Sequence, residues 1–195
     1  MQKRSMIFWA TNSCRRYGEF FMPKFLLLSL PVYGRIGPRS VVDPSIHPPS
    51  VKRLHHIFDY KPIDDLFQCF PCFLVSPKLA RILSRSRLIG FALREAIIEK
   101  SGTFSQLNPR LPTPEAVWLD VSGTARRDDF GRDHDGNLIV SEKALATLKE
   151  GSIEDTMIFD ALKPPSRDQI TSKLFEQTRQ QLDAIAPRPR RRSKK

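Results

Sequence analysis

Apolar and polar positions along the chain repeat at an offset of 65 residues. Residues 73–96 are echoed by residues 138–161: each copy has an apolar run, a serine, a short helical stretch and a second apolar run. Serine is favoured just before a helix, and Ser76 is followed by Pro77, which suits the first helical position. Each copy is therefore predicted as strand, helix and strand, with the second helix capped by Ser141.

Further elements are predicted around the two copies. Apolar runs at 25–33 and 116–121 are typical of strands, and the apolar residues within 50–58 have the spacing of one helical face. This predicted helix carries His55 and His56. Because adjacent helical positions point to different sides, one histidine is expected to pack and the other to face solvent.

The predicted architecture is a single α+β domain spanning 22–186. A strand-helix-strand unit cannot bury both of its faces, so the duplicated units are expected to share one mixed sheet. An amphipathic C-terminal helix at 166–185 would dock on this body. Residues 1–21 are interpreted as a basic extension, either disordered or a misassigned start, and residues 187–195 as a disordered basic tail.

The charge of the chain is concentrated at its ends. Of the net +11, residues 1–55 hold +7 and residues 187–195 hold +6, which leaves −2 for residues 56–186. A strongly basic chain suggests a nucleic acid as partner, but here only the tails could bind one. Residues 115–160 hold eleven acidic and five basic side chains, a net −6. The folded body is therefore expected to offer a partner an acidic face.

Three cysteines, an odd number without a convincing signal peptide, indicate a reducing, cytoplasmic location without structural disulfides. No run reaches 18 apolar residues, so no membrane span is predicted. Cys69 and Cys72 form a C-x-x-C, the spacing of a zinc half-site or a redox pair. A second ligand pair at finger spacing is absent, and the motif runs into a predicted strand, not a helix. Buried cysteines are favoured, with no metal or cofactor.

The densest acidic segment spans residues 128–137. Clustered carboxylates are typical of calcium sites, but EF-hand spacing would require glycine and glutamate where Leu138 and Ala144 stand. A solvated loop and a loop that binds a partner both remain open. The candidate partner-binding residues are Asp128, Asp129, Asp133 and Asp135.

The sequence lacks the common local signatures of hydrolases, zinc proteases and nucleotide-binding proteins. No catalytic residue is predicted from them. Asp64 and Asp65, although adjacent, are expected to be surface residues. An enzyme of unknown class remains an alternative, with a site assembled from Trp118, Asp128, Asp129 and His134.

Several short motifs resemble a known family. Residues 120–123, 128–131 and 138–145 resemble the C-terminal part of the double-CXXCG-motif and related immunity proteins of bacterial polymorphic-toxin systems. The upstream residues 73–79 and 88–91 are similar to the preceding region of such proteins. The resemblance covers about residues 54–162. The chain departs from the pattern in having a single C-x-x-C, with no glycine after it.

The resemblance implies a small cytoplasmic protein that binds and neutralises a cognate toxin without catalysis. It implies a protein partner and no cofactor, and it carries over no catalytic residue. The acidic segment is compatible with this role, since complementary charge accelerates binding to a cationic partner. A further alternative is a nucleic-acid-associated protein that acts through its basic tails.

Overall fold

The computed structural model describes residues 24–163 together with Ser166, Asp168 and Gln169. The predicted α+β class is confirmed. Most of the C-terminal helix expected at 166–185, and both basic ends, lie outside the described residues. The strands are β1 (Phe25–Ser29), β2 (Gly34–Ile36), β3 (Val41–Asp43), β4 (Ser50–Arg53), β5 (His55–Phe58), β6 (Leu66–Cys69), β7 (Cys72–Val75), β8 (Phe91–Arg94), β9 (Ile97–Lys100), β10 (Val117–Val121), β11 (Phe130–Arg132), β12 (Leu138–Ser141) and β13 (Met157–Asp160), and the helices are α1 (Pro77–Arg85), α2 (Gly102–Leu107) and α3 (Glu142–Leu148).

A four-stranded sheet in the order β6-β7-β10-β8 lies between two apolar cores. Side chains alternate between the faces of a strand, so neighbouring residues of β10 enter different cores. Leu119 and Val121 pack in the first core with residues of α1 and α3. Trp118 packs in the second core with Phe58 of β5 and Phe104 of α2. This sheet is covered on both faces, which explains its apolar strands.

A second four-stranded sheet has the order β11-β12-β1-β13. Leu26 and Leu28 of β1 and Leu138 and Val140 of β12 belong to the same core as α1 and α3. The two helices also contact each other. The two four-stranded sheets are therefore joined through one shared apolar core.

Both repeated segments form a strand, a helix and a strand, but they lie in different sheets. We call β6, β7, α1 and β8 the first unit, and β11, β12, α3 and β13 the second unit. In the first unit, β7 and β8 pair antiparallel with opposite edges of β10. In the second, β12 and β13 pair in the same way with β1. The expected single shared sheet is therefore wrong. A crossover helix leaves space between two strands, and an antiparallel strand from elsewhere satisfies the backbone groups facing that space.

Both unit helices begin at the serines predicted to cap them. The Oγ of Ser76 accepts a hydrogen bond from the backbone N–H of Leu79 at 3.2 Å, and the Oγ of Ser141 accepts one from Ala144 at 3.0 Å. Pro77 occupies the start of α1, where its missing N–H leaves no helical bond unmade. These local signals mark the starts of α1 and α3.

Each capping serine is also held by an aspartate that directly precedes the first strand of its unit. The backbone carbonyl of Asp65 accepts from the N–H of Ser76 at 2.8 Å, and that of Asp129 accepts from Ser141 at 2.9 Å. In the second unit the Ser141 hydroxyl also donates to the Asp129 carboxylate at 2.7 Å. We call the backbone hydrogen bond from the capping serine to the aspartate carbonyl, which both units share, the aspartate-serine clasp. It joins the beginning of each β-hairpin to the start of the following helix.

The segment 50–58, expected to be a helix, forms β4 and β5, so that prediction is wrong. Its apolar spacing is compatible with either structure, and pairing with distant residues decides between them. Strand β5 pairs antiparallel with β2 and parallel with β9. Leu54, between β4 and β5, is fully buried in the second core. Tertiary pairing thus overrides the local helical pattern.

The expectation that one of the two histidines faces solvent is also wrong, because both are buried. Their strand is covered on its two faces. On one face His55 Nδ1 accepts from the N–H of Arg39 at 3.2 Å, and its Nε2 lies 3.1 Å from Glu99 Oε2. On the other face, the His56 ring packs edge-on against the Phe58 ring, with 4.5 Å between the ring centres. Neither ring nitrogen of His56 has a hydrogen-bond partner among the described residues.

Asp64 is buried and not at the surface, which corrects the expectation for this residue. Its carboxylate accepts from the hydroxyl of Thr156 at 2.9 Å and from the N–H of Asp155 at 3.1 Å. The hydroxyl of Tyr33 accepts from the Asp64 N–H at 3.2 Å. Burial raises the pKa of Asp64, while the bonds from Asp155 and Thr156 act in the opposite direction. Asp64 thus connects the segment just before β6, the first strand of the first unit, to the residues that lead into β13, the last strand of the second unit.

Burial of His56 predicts an acid-sensitive stability. Removal from water lowers the pKa of His56 to about 4, with Asp59 opposing this shift and His55 adding to it. Because the unfolded ring titrates near 6.5, the unfolded state takes up a proton first as the pH falls. The contribution of His56 to the free energy of unfolding is therefore complete above about pH 6.5. It is lost progressively as the pH falls toward 4, by roughly 3 kcal/mol in total. Denaturant unfolding at a series of pH values measures this slope.

Two variants separate His56 from the other titrating groups. His56→Leu is expected to flatten the slope between pH 4 and 6.5, whereas His134→Gln, at a side chain that is 86% exposed, should leave it unchanged. An unaltered slope in His56→Leu would contradict the assignment.

Candidate functional site

A polar cavity of about 300 Å³ lies beside one end of the β6-β7-β10-β8 sheet. Residues from β4, β7, β8, β10 and β11 line it, so strands of three sheets meet there. Its charged lining residues are Lys52, Arg94, Asp120 and Arg132. Trp118 lies in the lining where the second apolar core ends.

The alternation of side chains along β10 places Asp120 in this cavity. Trp118 and Asp120 are two residues apart and therefore lie on the same face of the sheet. Arg94 stands opposite Trp118 on β8. Its Nε lies 2.9 Å from Asp120 Oδ2, and its guanidinium carbon lies 5.5 Å from the centre of the Trp118 ring. The ion pair and the aromatic ring together orient Arg94.

Strand β11 and the β6–β7 turn also contribute to the lining. Arg132 Nη1 donates to the backbone carbonyl of Pro71 at 3.4 Å. Cys72 also lines the cavity but is almost fully buried. Burial raises the pKa of the Cys72 thiol to about 12, and burial raises that of Cys69 to about 12 as well. Both thiols are thus buried, as expected, and this environment favours their protonated form at neutral pH.

Two of the candidate partner-binding aspartates are engaged inside the fold. Asp128 accepts a hydrogen bond from the N–H of Thr124 at 2.7 Å; this bond and Arg127 lower the pKa of Asp128. The Asp129 carboxylate accepts from the N–H of Ile89 at 3.1 Å and from the hydroxyl of Ser141 at 2.7 Å. These carboxylates organise the chain ahead of β11.

The other two candidates form the turn between β11 and β12. Asp133 Oδ1 accepts from the N–H of Asp135 at 3.1 Å and from that of Asn137 at 2.8 Å, which closes the turn. Asp135 is 62% exposed and lies 3.0 Å from the exposed ring of His134. We call residues 133–137 the acidic turn. Asp133 Oδ2 also accepts from the side-chain amide of Asn137 at 3.0 Å, so both oxygens of Asp133 are engaged within the turn. The carboxylate that the turn presents to solvent, next to β11, is that of Asp135.

An exposed aromatic residue, which sequence analysis did not single out, lies against the acidic turn. Phe70, at the tip of the β6–β7 hairpin, is 47% exposed. A Cβ placed on Gly136 would lie 3.0 Å from Phe70 Cε2 and 3.3 Å from Pro48 Cβ. Gly136 also has a φ of +83°, which favours glycine. Phe70, Pro48 and the acidic turn therefore form one continuous surface, which we call the hairpin-tip surface.

The residues of the alternative enzyme site do not converge. Trp118 contacts Arg94, Asp128 and Asp129 bond to the preceding loops, and His134 pairs with Asp135. Within the described part of the chain, the four residues share no hydrogen bond, ion pair or ring contact. The convergent polar group is instead Arg94, Asp120 and Arg132, which lie 12 to 38 positions apart in the sequence. The sequence offers one signal for this site. Asp120 interrupts an apolar strand on the same face as Trp118, which indicates that a polar residue lies beside the tryptophan.

No protein-family model matches the chain, and a search of the curated proteins finds no match to it. Among the residues described, no helix has the length and apolar character required to cross a membrane.

The contacts of the four aspartates predict different effects on stability. Asp129→Ala removes two hydrogen bonds and should lower the free energy of unfolding by about 2 kcal/mol, or the Tm by roughly 4–8 °C. Asp135→Ala removes only an exposed ion pair and should change the Tm by less than about 2 °C. Differential scanning calorimetry at pH 7 measures both. Equal shifts in the two variants would contradict the distinction between internal and exposed carboxylates.

Proposed function

We propose that this chain is a non-catalytic, cytoplasmic immunity-type protein that binds and neutralises a cognate toxin. The observation that carries the proposal is the hairpin-tip surface, where the exposed ring of Phe70 lies against the turn that carries the exposed carboxylate of Asp135. Aromatic residues are enriched among those that dominate binding energy, and surrounding charges govern the rate of association. An apolar anchor beside a negative turn suits a partner with a basic rim around a small apolar depression.

Within this proposal the candidate aspartates have separate tasks. Asp135 contacts the toxin through its exposed carboxylate, and Asp133, whose oxygens close the acidic turn, adds a second negative charge beside it. Asp128 and Asp129 hold the preceding loop and the start of α3, so they support the surface without reaching the partner. The net charge of −6 over residues 115–160 adds long-range attraction for a cationic protein.

The chemistry of the buried groups supports binding over catalysis. General acid–base catalysis needs a titrating group that is tuned and within reach of a substrate. His56, whose pKa is strongly lowered, is enclosed by Phe58 and Phe67. The thiols of Cys69 and Cys72 are protonated and buried. A cavity that is lined by permanently charged arginines is better suited to binding an ion than to moving protons.

The proposal includes an internal duplication. The two units have the same order of hairpin, helix and strand. In each, an antiparallel strand from another part of the chain lies between the second and third strands: β10 in the first unit and β1 in the second. Each helix has a serine cap, and each cap is held by an aspartate-serine clasp. The repetition of a non-obvious contact, in addition to the repeated pattern of apolar residues, supports descent of both units from one ancestral unit.

Partner capture with surface variants tests the function. The full-length chain, tagged and expressed in its native cell, is expected to retain one protein in equal amount after nuclease treatment. Phe70→Ala combined with Asp135→Asn should lower that recovery at least about tenfold, as expected for loss of an anchor residue. The recovered protein should inhibit growth when it is expressed alone, and co-expression of this chain should restore growth.

A matched control replaces equally exposed residues elsewhere. Leu107 is 61% exposed on α2, and Glu150 is exposed just after α3. Leu107→Ala combined with Glu150→Gln should leave recovery unchanged. Recovery of nucleic acid alone, lost when residues 187–195 are removed, would contradict the proposal and favour a nucleic-acid-associated protein. Undiminished recovery with the hairpin-tip variant would show that this surface is not the interface.

Ionic strength provides an independent prediction for the purified complex. If the acidic turn attracts a basic partner, the association rate should fall as salt is raised from about 20 to 300 mM, while the dissociation rate changes little. Asp133→Asn with Asp135→Asn should reduce this salt dependence. Surface plasmon resonance measures both rates, and a salt-independent association rate would exclude electrostatic attraction through this turn.

A further inference from the structure

We infer that the cavity between β4, β10 and β11 is a binding site for a small polar anion, a use separate from the proposed toxin interface. Three cationic side chains line it, those of Lys52, Arg94 and Arg132, against the single carboxylate of Asp120. The lining therefore carries an excess of two positive charges. Concentration of one sign of charge in a concave surface strengthens the local field and attracts ions of the opposite sign.

The cationic groups retain free donors for a ligand. Arg94 uses its Nε for Asp120, and within residues 24–163 neither of its terminal nitrogens makes a hydrogen bond. The Arg132 guanidinium makes one long bond, from Nη1 to the Pro71 carbonyl, and the Lys52 side chain makes no hydrogen bond or ion pair with the described residues. Guanidinium groups bind carboxylate and phosphate oxygens through paired, charge-assisted hydrogen bonds. Two such groups in one cavity are suited to an oxyanion.

The site is partly pre-organised. Arg94 is held on one side by Asp120 and on another by the Trp118 ring, although its side chain is still 53% exposed. Fixing a long side chain before binding reduces the entropy that the ligand would otherwise have to offset. The second oxygen of Asp120 has no partner within the described residues and can accept a hydrogen bond from a ligand.

These features define the chemical class of the ligand. An oxyanion lies between the two arginines, and a hydroxyl or ammonium group of the same molecule donates to Asp120. The volume of about 300 Å³ is at the lower end for ligand pockets, so the molecule is small. Hydroxy acids, amino acids and small phosphate esters all meet these requirements. The shared element is an oxyanion next to a hydrogen-bond donor.

Tryptophan fluorescence tests this site directly. The chain contains two tryptophans, Trp9 and Trp118, so full-length protein with Trp9→Phe leaves Trp118 as the reporter. Inorganic phosphate, glycerol 3-phosphate and L-malate are titrated separately at constant ionic strength, with sodium chloride as the reference. A saturable change with at least one of the three probes is expected, and the comparison among probes distinguishes phosphate from carboxylate. No saturable change with any probe would overturn the inference.

Charge-removing variants connect the signal to the cavity. Arg132→Gln and Lys52→Gln should each weaken binding by at least about tenfold, the effect of losing one charge-assisted contact. Arg87→Gln removes the same charge from an exposed position outside the lining and should leave binding unchanged. Lys52 is exposed, so its variant tests the site even if Arg132→Gln lowers stability. Equal weakening in Arg87→Gln, or none in both cavity variants, would show that the anion binds elsewhere.

Discussion

Exchange of two strands between the halves of the chain is the constraint on which the rest of the structure depends. Strand β1 precedes the first unit in sequence but lies in the middle of the second unit, and β10 precedes the second unit but lies in the middle of the first. Without these strands, β7, β8, β12 and β13 would face a gap with unpaired backbone groups, which is costly in a buried sheet. Neither unit can complete its sheet without a segment from the other half, so the two sheets and the core between them form together.

The same exchange builds the cavity. Strand β10 brings Trp118 and Asp120 beside Arg94, and β11, from the other sheet, supplies Arg132. The tip of the β6–β7 hairpin separates two surfaces of opposite charge. Arg132 bonds to the carbonyl of Pro71 on the cavity side, while the acidic turn packs against the neighbouring aromatic ring on the other side. A partner and a small anion could therefore bind close together without using the same residues.

Position relative to the fold, not charge density, gives each aspartate its task. Asp129 lies before a hairpin whose following helix is capped by Ser141, so its carbonyl forms the clasp and its carboxylate accepts a further bond from the Ser141 hydroxyl. Asp135 lies at the far end of the same short strand, where the chain reverses and the side chain meets solvent. The corresponding Asp65 of the first unit has a single acidic neighbour, Asp64, yet it makes the same backbone contact with Ser76. The clasp thus depends on topology, and the acidic run around Asp129 is incidental to it.

The sequence alone determined the features that depend on residues a few positions apart: the serine caps at Ser76 and Ser141, the apolar strands that flank the unit helices, and the acidic turn. These rely on hydrogen bonds and side-chain alternation within one element, so a local pattern contains them. Only the tertiary structure decided that 50–58 is two strands, that the two units occupy separate sheets, and that Arg94, Asp120 and Arg132 converge. Each of these depends on pairing between segments far apart in the chain, and a local pattern that is compatible with two structures cannot choose between them until the distant partner is in place.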